Sequence, residues 1–324
     1  MTYFSAMFLK ALKNNGFASY LFFAFLVLGF GFNVFSLPLE KNYFALSDLP
    51  RLCLYSDTLM RVLFLLVWLL SVSWMAKVVT HYKLMEAKGG IILFLAAMLS
   101  FSFWSEHINL DVQIALLFLL FCIDEFFAIY QSQGKLYQSL NLGLLFGCAV
   151  YFYFPLIVLL PWLLMALGIV KSFQWRDVAL PLIGGLIPFY IYSVYQFFTG
   201  DSNLLFAKRL LQFNAKVPAL FIDGITLKLY WLFALALLLL SLAYSFRIMD
   251  KLTVKIRMFY SILLWFTIFT IGLLFFTKGF HFESAFLLFP LVFLGANYLN
   301  TIKRQWVFDV GVLVYLFLLV SAHL

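Results

Sequence analysis

Asp124 and Glu125 stand inside an apolar run, LLFLLFCIDEFFAIY, where ionisable side chains are out of place. A charge held in hydrocarbon costs free energy, so such residues mark proton or ion sites unless a partner or the membrane interface takes them. Neighbouring residues on a helix diverge by about 100°. The two carboxylates therefore cannot address one point, and the plainer reading sends one to the interface and the other to a partner. A second group lies in two turns: Glu106, His107 and Asp111 in the first, His281 and Glu283 in the second. If these turns converge, imidazoles and carboxylates could hold a divalent metal or exchange protons. The competing reading is a pair of solvated polar turns, since the chain has no HExxH and no His pair at i, i+4. A third group follows the first apolar run, with Glu40 and Asp48 and then Arg51. A carboxylate there could act as general base beside a lipid-linked phosphate, with Arg51, Lys208 or Arg209 on the phosphate oxygens. An ordinary polar loop is again the alternative.

The elements that would position these groups are set by composition. Hydrophobic residues make up 65% of the chain and charged residues 11%, with mean hydropathy +1.03; soluble domains carry about 25% charged residues. A polytopic membrane protein is the ordinary class that fits. The net charge of +8 is scattered through loops without a basic run, which excludes a nucleic-acid partner. The three Cys, at 53, 122 and 148, form no CxxC, and neither a disulfide framework nor a zinc site is expected. No Walker, Rossmann or GxSxG motif is present, so a divalent metal is the one cofactor the residues could support.

A membrane crossing takes about 20 apolar residues. On that basis the fold is an all-α transmembrane bundle occupying the whole chain as one domain. Spans fall near 17–37, 62–80, 89–104, 112–130, 140–154, 156–170, 178–199, 227–246, 258–277, 284–300 and 306–322, about eleven in all. The first reads as an uncleaved signal-anchor, because Lys10 and Lys13 precede it and no A-x-A-like cleavage site follows. The stretch 140–170 is either one over-long tilted helix, giving ten spans, or a short re-entrant-like hairpin bent at Pro155. Charge separates the two readings. With the hairpin counted as two passes and the N-terminus cytoplasmic, 14 of the 22 basic residues lie inside, including the SFRIMDKLTVKIR loop. A single pass would place that loop outside, against the positive-inside bias. The hairpin reading puts the C-terminus on the periplasmic side of a bacterial inner membrane.

The outer segments 38–61 and 201–227 mix apolar and charged residues at helix-like spacing, as in LLFAKRLLQF, and read either as interfacial amphipathic helices or as packed loops. Gly143 and Gly147 form a GxxxG pattern that permits close helix approach.

From Asp111 to Asp201, the linker YQSQGKLYQS, the run NLGLLFGCAVYFYFPLIVLLPWL, the turn SFQWRD and the span VALPLIGGLIPFYIYSVYQFFTG resemble a multi-spanning inner-membrane family of unknown function from Bacteroidota. The same stretch is similar, more distantly, to the membrane core of C-type-fold glycosyltransferases that use polyprenyl-phosphate sugars. That resemblance implies a catalytic acid at Glu40 or Asp48, partners among membrane lipids and polyprenyl-phosphate-linked sugars, and a role in cell-envelope assembly, as an enzyme or a non-catalytic relative. A transporter or flippase of a lipid-linked substrate and a structural subunit of an envelope complex are the alternatives.

Overall fold

The structure, a computed structural model, describes residues 17–38, 57–84, 89–104, 108–131, 136–170, 175–199, 225–276, 284–301 and 315. Among them there is no β-strand, and ten α-helices form. They are α1 (Phe17–Ser36), α2 (Asp57–Tyr82), α3 (Gly89–Phe103), α4 (Leu110–Gln131), α5 (Leu136–Phe152), α6 (Leu160–Val170), α7 (Trp175–Thr199), α8 (Ile225–Ile248), α9 (Val254–Phe276) and α10 (Leu288–Thr301). Short 3-10 turns cover Phe154–Leu159, Met249–Lys251 and Ala285–Leu287. A helix satisfies its own backbone polar groups, which is what an apolar solvent demands of a chain this hydrophobic.

The helices fall on ten of the eleven expected apolar stretches; the eleventh, 306–322, lies outside the described residues except for Tyr315. Four of them, within α2, α4, α7 and α9, are long and apolar enough to cross a membrane, and the other apolar helical stretches are shorter, at 10–17 residues. The helices thus support a membrane bundle without establishing eleven crossings. The outer segments expected at the interface lie largely outside the described residues, although α2 begins at Asp57 and α8 at Ile225, earlier than the apolar runs suggest.

Pairwise contacts give the helix directions. Phe64 meets Trp104 while Trp68 meets Ser100, so α3 retreats as α2 advances and the two are antiparallel. Ser71 meets Gln113 and Tyr82 meets Asp124, so α2 and α4 are parallel. Phe118 stacks on Phe152 and Cys122 lies against the Leu142 carbonyl, so α4 and α5 are antiparallel. Phe259 against Phe293 and Phe266 against Phe289 make α9 and α10 antiparallel as well.

Between α5 and α7 the residues advance together: Gly143 lies on Pro181, Gly147 on Gly185, and Tyr151 beside Phe189. Two parallel helices that follow one another in the chain need a return between them, and residues 154–170 supply it. α5 stops at Phe152, Tyr153 is extended (φ −135°, ψ 92°), and Pro155 opens the 3-10 turn, where its missing N–H breaks no helical bond. This is the two-armed arrangement of 140–170, and a single continuous helix does not occur. At 1.5 Å per α-residue and about 2.0 Å per 3-10 residue, the arms reach roughly 25 and 28 Å, just short of a hydrocarbon core of about 30 Å. Trp162 fixes the return arm: its indole N–H donates to the Ile262 carbonyl at 3.1 Å and its ring packs on Phe126 and Phe266.

The alternation of direction sorts the described Lys and Arg positions. Lys77, Lys83, Arg176, Arg247, Lys251, Lys255 and Arg257 fall at one end of the bundle, and Arg61 and Lys228 at the other. We refer to these as the basic and the opposite end.

The α5–α7 contact is backbone against backbone. A Cβ on Gly147 would overlap the Gly185 carbonyl and stand 2.7 Å from its Cα, whereas one on Gly272 in α9 meets nothing within 4 Å. Gly147→Ala is therefore expected to destabilise the bundle by about 1–3 kcal/mol through overpacking. Gly272→Ala should be neutral, or stabilising by up to about 1 kcal/mol from helix propensity. Unfolding in detergent micelles distinguishes the two, and equal effects would contradict the close approach.

Candidate functional site at the opposite end of α1–α4

The described polar side chains that are buried most deeply include a group shared by α1, α2, α3 and the start of α4. Asn33, Ser71, Ser100, Asn109, Asp111 and Gln113 are all buried among apolar neighbours. Sequence position alone explains part of this. Asn109 precedes α4 and its Oδ1 accepts the Val112 N–H at 3.2 Å, an N-cap that satisfies one of the helix's free amide groups. Asp111 sits in the first turn, where the helix dipole favours a negative charge.

Within the bundle the remaining groups link three helices. The Gln113 amide donates to Ser71 Oγ at 2.8 Å, Ser71 donates to the Trp68 carbonyl at 2.8 Å, and the Trp68 indole donates to Ser100 Oγ at 2.8 Å. Ser100 donates in turn to Ala96 O at 2.6 Å. Gln113 Oε1, Asn109 Nδ2 and Trp104 Nε1 are buried with no hydrogen-bond partner among the described residues. Unsatisfied groups of this kind are costly in an apolar interior. Trp104 and Asn109 lie on either side of residues 105–108 in the chain, so two of the three border that segment.

Two further contacts draw the chain together at this end. The Ile108 N–H donates to Pro38 O at 3.3 Å, joining the entrance of α4 to the exit of α1. Arg61 Nη1 donates to the Val34 and Phe35 carbonyls, both at 2.5 Å, and so caps the C-terminal end of α1. The Ala285–Leu287 turn also packs against α4.

Asp111 is thus the one member of the expected metal or polar cluster that lies among the described residues; Glu106, His107, His281 and Glu283 lie outside them, as do Glu40, Asp48, Arg51, Lys208 and Arg209. No three His, Cys, Asp or Glu side chains come together among the described residues. Sequence reasoning missed Ser71, Ser100 and Gln113. The available signal was Gln113 itself, an amide at the second position of the run 112–123, which is otherwise apolar.

The intramembrane pair behaves as its helical spacing requires. Asp124 and Glu125 are both half-buried on α4. The Tyr82 hydroxyl of α2 donates to the Asp124 carbonyl oxygen at 3.3 Å and lies beside its carboxylate. Glu125 meets the side-chain amide of Asn141 on α5. The two carboxylates turn to different neighbours, and a nearby crevice is lined by Phe126 and Phe127 but by neither acid.

No protein-family model, no curated protein and no solved structure matches the chain.

The buried chain of hydrogen bonds predicts a non-additive pair of substitutions. Ser71→Ala leaves the Gln113 amide without its acceptor and should cost about 1–3 kcal/mol, while Ser71→Ala with Gln113→Leu should recover most of that loss. Unfolding of the single and double variants in micelles measures the coupling, and additive losses would contradict the bond.

Proposed function

We propose that this protein is a multi-pass protein of the bacterial inner membrane, N-terminus cytoplasmic and C-terminus periplasmic, that acts on a lipid-linked glycan at the opposite end of its bundle. The observation that carries this reading is the Pro38–Ile108 hydrogen bond. Glu40 follows Pro38 by two residues and Glu106 precedes Ile108 by two, so the two acidic segments, separate in sequence, depart from one anchoring point. Beneath that point lie Asp111, Asn109 and Gln113, and of these Gln113 Oε1 and Asn109 Nδ2 are buried with no hydrogen-bond partner among the described residues.

The orientation rests on the sorting of Lys and Arg, since the basic end takes the cytoplasmic side under the positive-inside bias. In this reading Glu40 or Asp48 deprotonates the acceptor hydroxyl as the glycosyl donor's polyprenyl phosphate departs, and Arg51, Lys208 or Arg209 receives the phosphate charge. The likeness of residues 111–201 to C-type glycosyltransferase cores supports the reaction class. A non-catalytic relative, a flippase of the same lipid-linked substrate and a structural subunit remain as competing outcomes of one experiment.

Deletion in the native bacterium is expected to remove an envelope glycan. Complementation with Glu40→Gln or Asp48→Asn, at wild-type protein levels, should lower glycan addition by about 10²-fold or more for whichever residue is the base. Full rescue by both variants would exclude catalysis by these residues and favour the non-catalytic reading. Accumulation of the lipid-linked intermediate on the cytoplasmic leaflet would favour the flippase. An intact glycan with loss of a membrane complex would favour the structural subunit.

A further inference from the structure

At the basic end, α4, α6 and α9 diverge around a narrow, partly open crevice. Its walls are almost wholly apolar, with Phe126 and Tyr130 from α4, Val170 from the end of α6, and Met258 and Ile262 from α9; Lys255 stands among them as the one charged residue. Trp162 lies behind, its ring on Phe126 and its indole bonded to Ile262 O. We propose that this crevice takes an acyl chain of an anionic phospholipid, whose phosphate is held by Lys255.

Geometry and charge both select that occupant. The crevice is narrow and partly open, so it admits a slender chain segment lying along it from the surrounding membrane and not a whole small molecule. The Lys255 ammonium is placed over the Tyr82 ring, 5.3 Å from its centroid, and Tyr82 is itself fixed by stacking on Phe127 at 4.4 Å. Among the described residues no carboxylate pairs with Lys255; the nearby acids Asp124 and Glu125 engage Tyr82 and Asn141. A half-buried cation at the rim of an apolar slot favours an amphiphile with a net anionic head, since a zwitterionic head brings its own cation up against the ammonium and a soluble anion gains nothing from the slot. Lys77, Lys83, Arg247 and Arg257 at the same end add a field of the same sign. The Tyr130 side chain, exposed at the mouth, offers a hydroxyl for the headgroup.

The site is independent of the glycan reading and is tested without it. The full-length protein, purified in detergent and supplied with phosphatidylglycerol or phosphatidylcholine, is examined by native mass spectrometry for retained lipid. Phosphatidylglycerol should be retained in preference. Lys255→Gln should reduce its retention about fivefold, the effect of one basic residue near a membrane surface, and Lys255→Arg should restore it. Met258→Trp, which fills the slot and keeps the charge, should also reduce retention, whereas Arg176→Gln, beside an exposed Trp175 outside the crevice, should not. Equal loss in Lys255→Gln and Arg176→Gln would mean a diffuse basic surface and overturn the site. So would unchanged retention in both Lys255→Gln and Met258→Trp, or competition by inorganic phosphate as effective as that by the lipid.

Discussion

The contact of α5 with α7 brings two backbones together where no side chain intervenes. In lipid, helices gain little from hiding apolar surface, because the solvent is as apolar as they are; association depends on close packing and on the few polar bonds available. Gly143 and Gly147 let α7 approach through Pro181, Gly184 and Gly185. Since the approach is parallel, the chain between must turn back on itself, and the directions of all later helices follow. The bend at Tyr153 and Pro155, the 3-10 turn and the Trp162 anchor to Ile262 are the means by which that return is made.

The same constraint separates the two ends of the molecule. Alternating directions gather most of the described cations at one end, around the Tyr82–Lys255 contact, and leave the other with Lys228 and with Arg61, which is occupied in capping α1. At that second end the interior is polar. A Gln, two Ser and a Trp bond across three helices, while the exit of α1 is bonded to the entrance of α4. Polar links of this kind tie helices together with more directional preference than van der Waals packing has, so they contribute to a defined arrangement as well as to stability. α7 shows the contrasting case: only 11% of its span is buried, and outside its contact with α5 it offers apolar side chains to the membrane.

Asp124 and Glu125 show how far local geometry reaches. Adjacent positions on one helix had to diverge, and they do, toward α2 and α5. Which helices would receive them depended on packing that no local pattern encodes. The Gly143–Gly147 pattern announced a close approach in the same way, but its partner in α7 lies almost forty residues on, beyond the reach of any periodicity.

By itself the sequence determined the class of molecule, the positions of its apolar helices, and the reversal near Pro155. These follow from composition, run length, and the distribution of Lys and Arg, each of which acts locally or additively along the chain. Only the tertiary structure decided that Ser71, Ser100 and Gln113 form one buried chain, that Pro38 meets Ile108, and that Lys255 stands over Tyr82 at an apolar crevice. The physical reason is that each of these contacts joins residues from different helices, and in a uniformly apolar chain hydropathy cannot say which faces will meet; shape and a few polar atoms choose them.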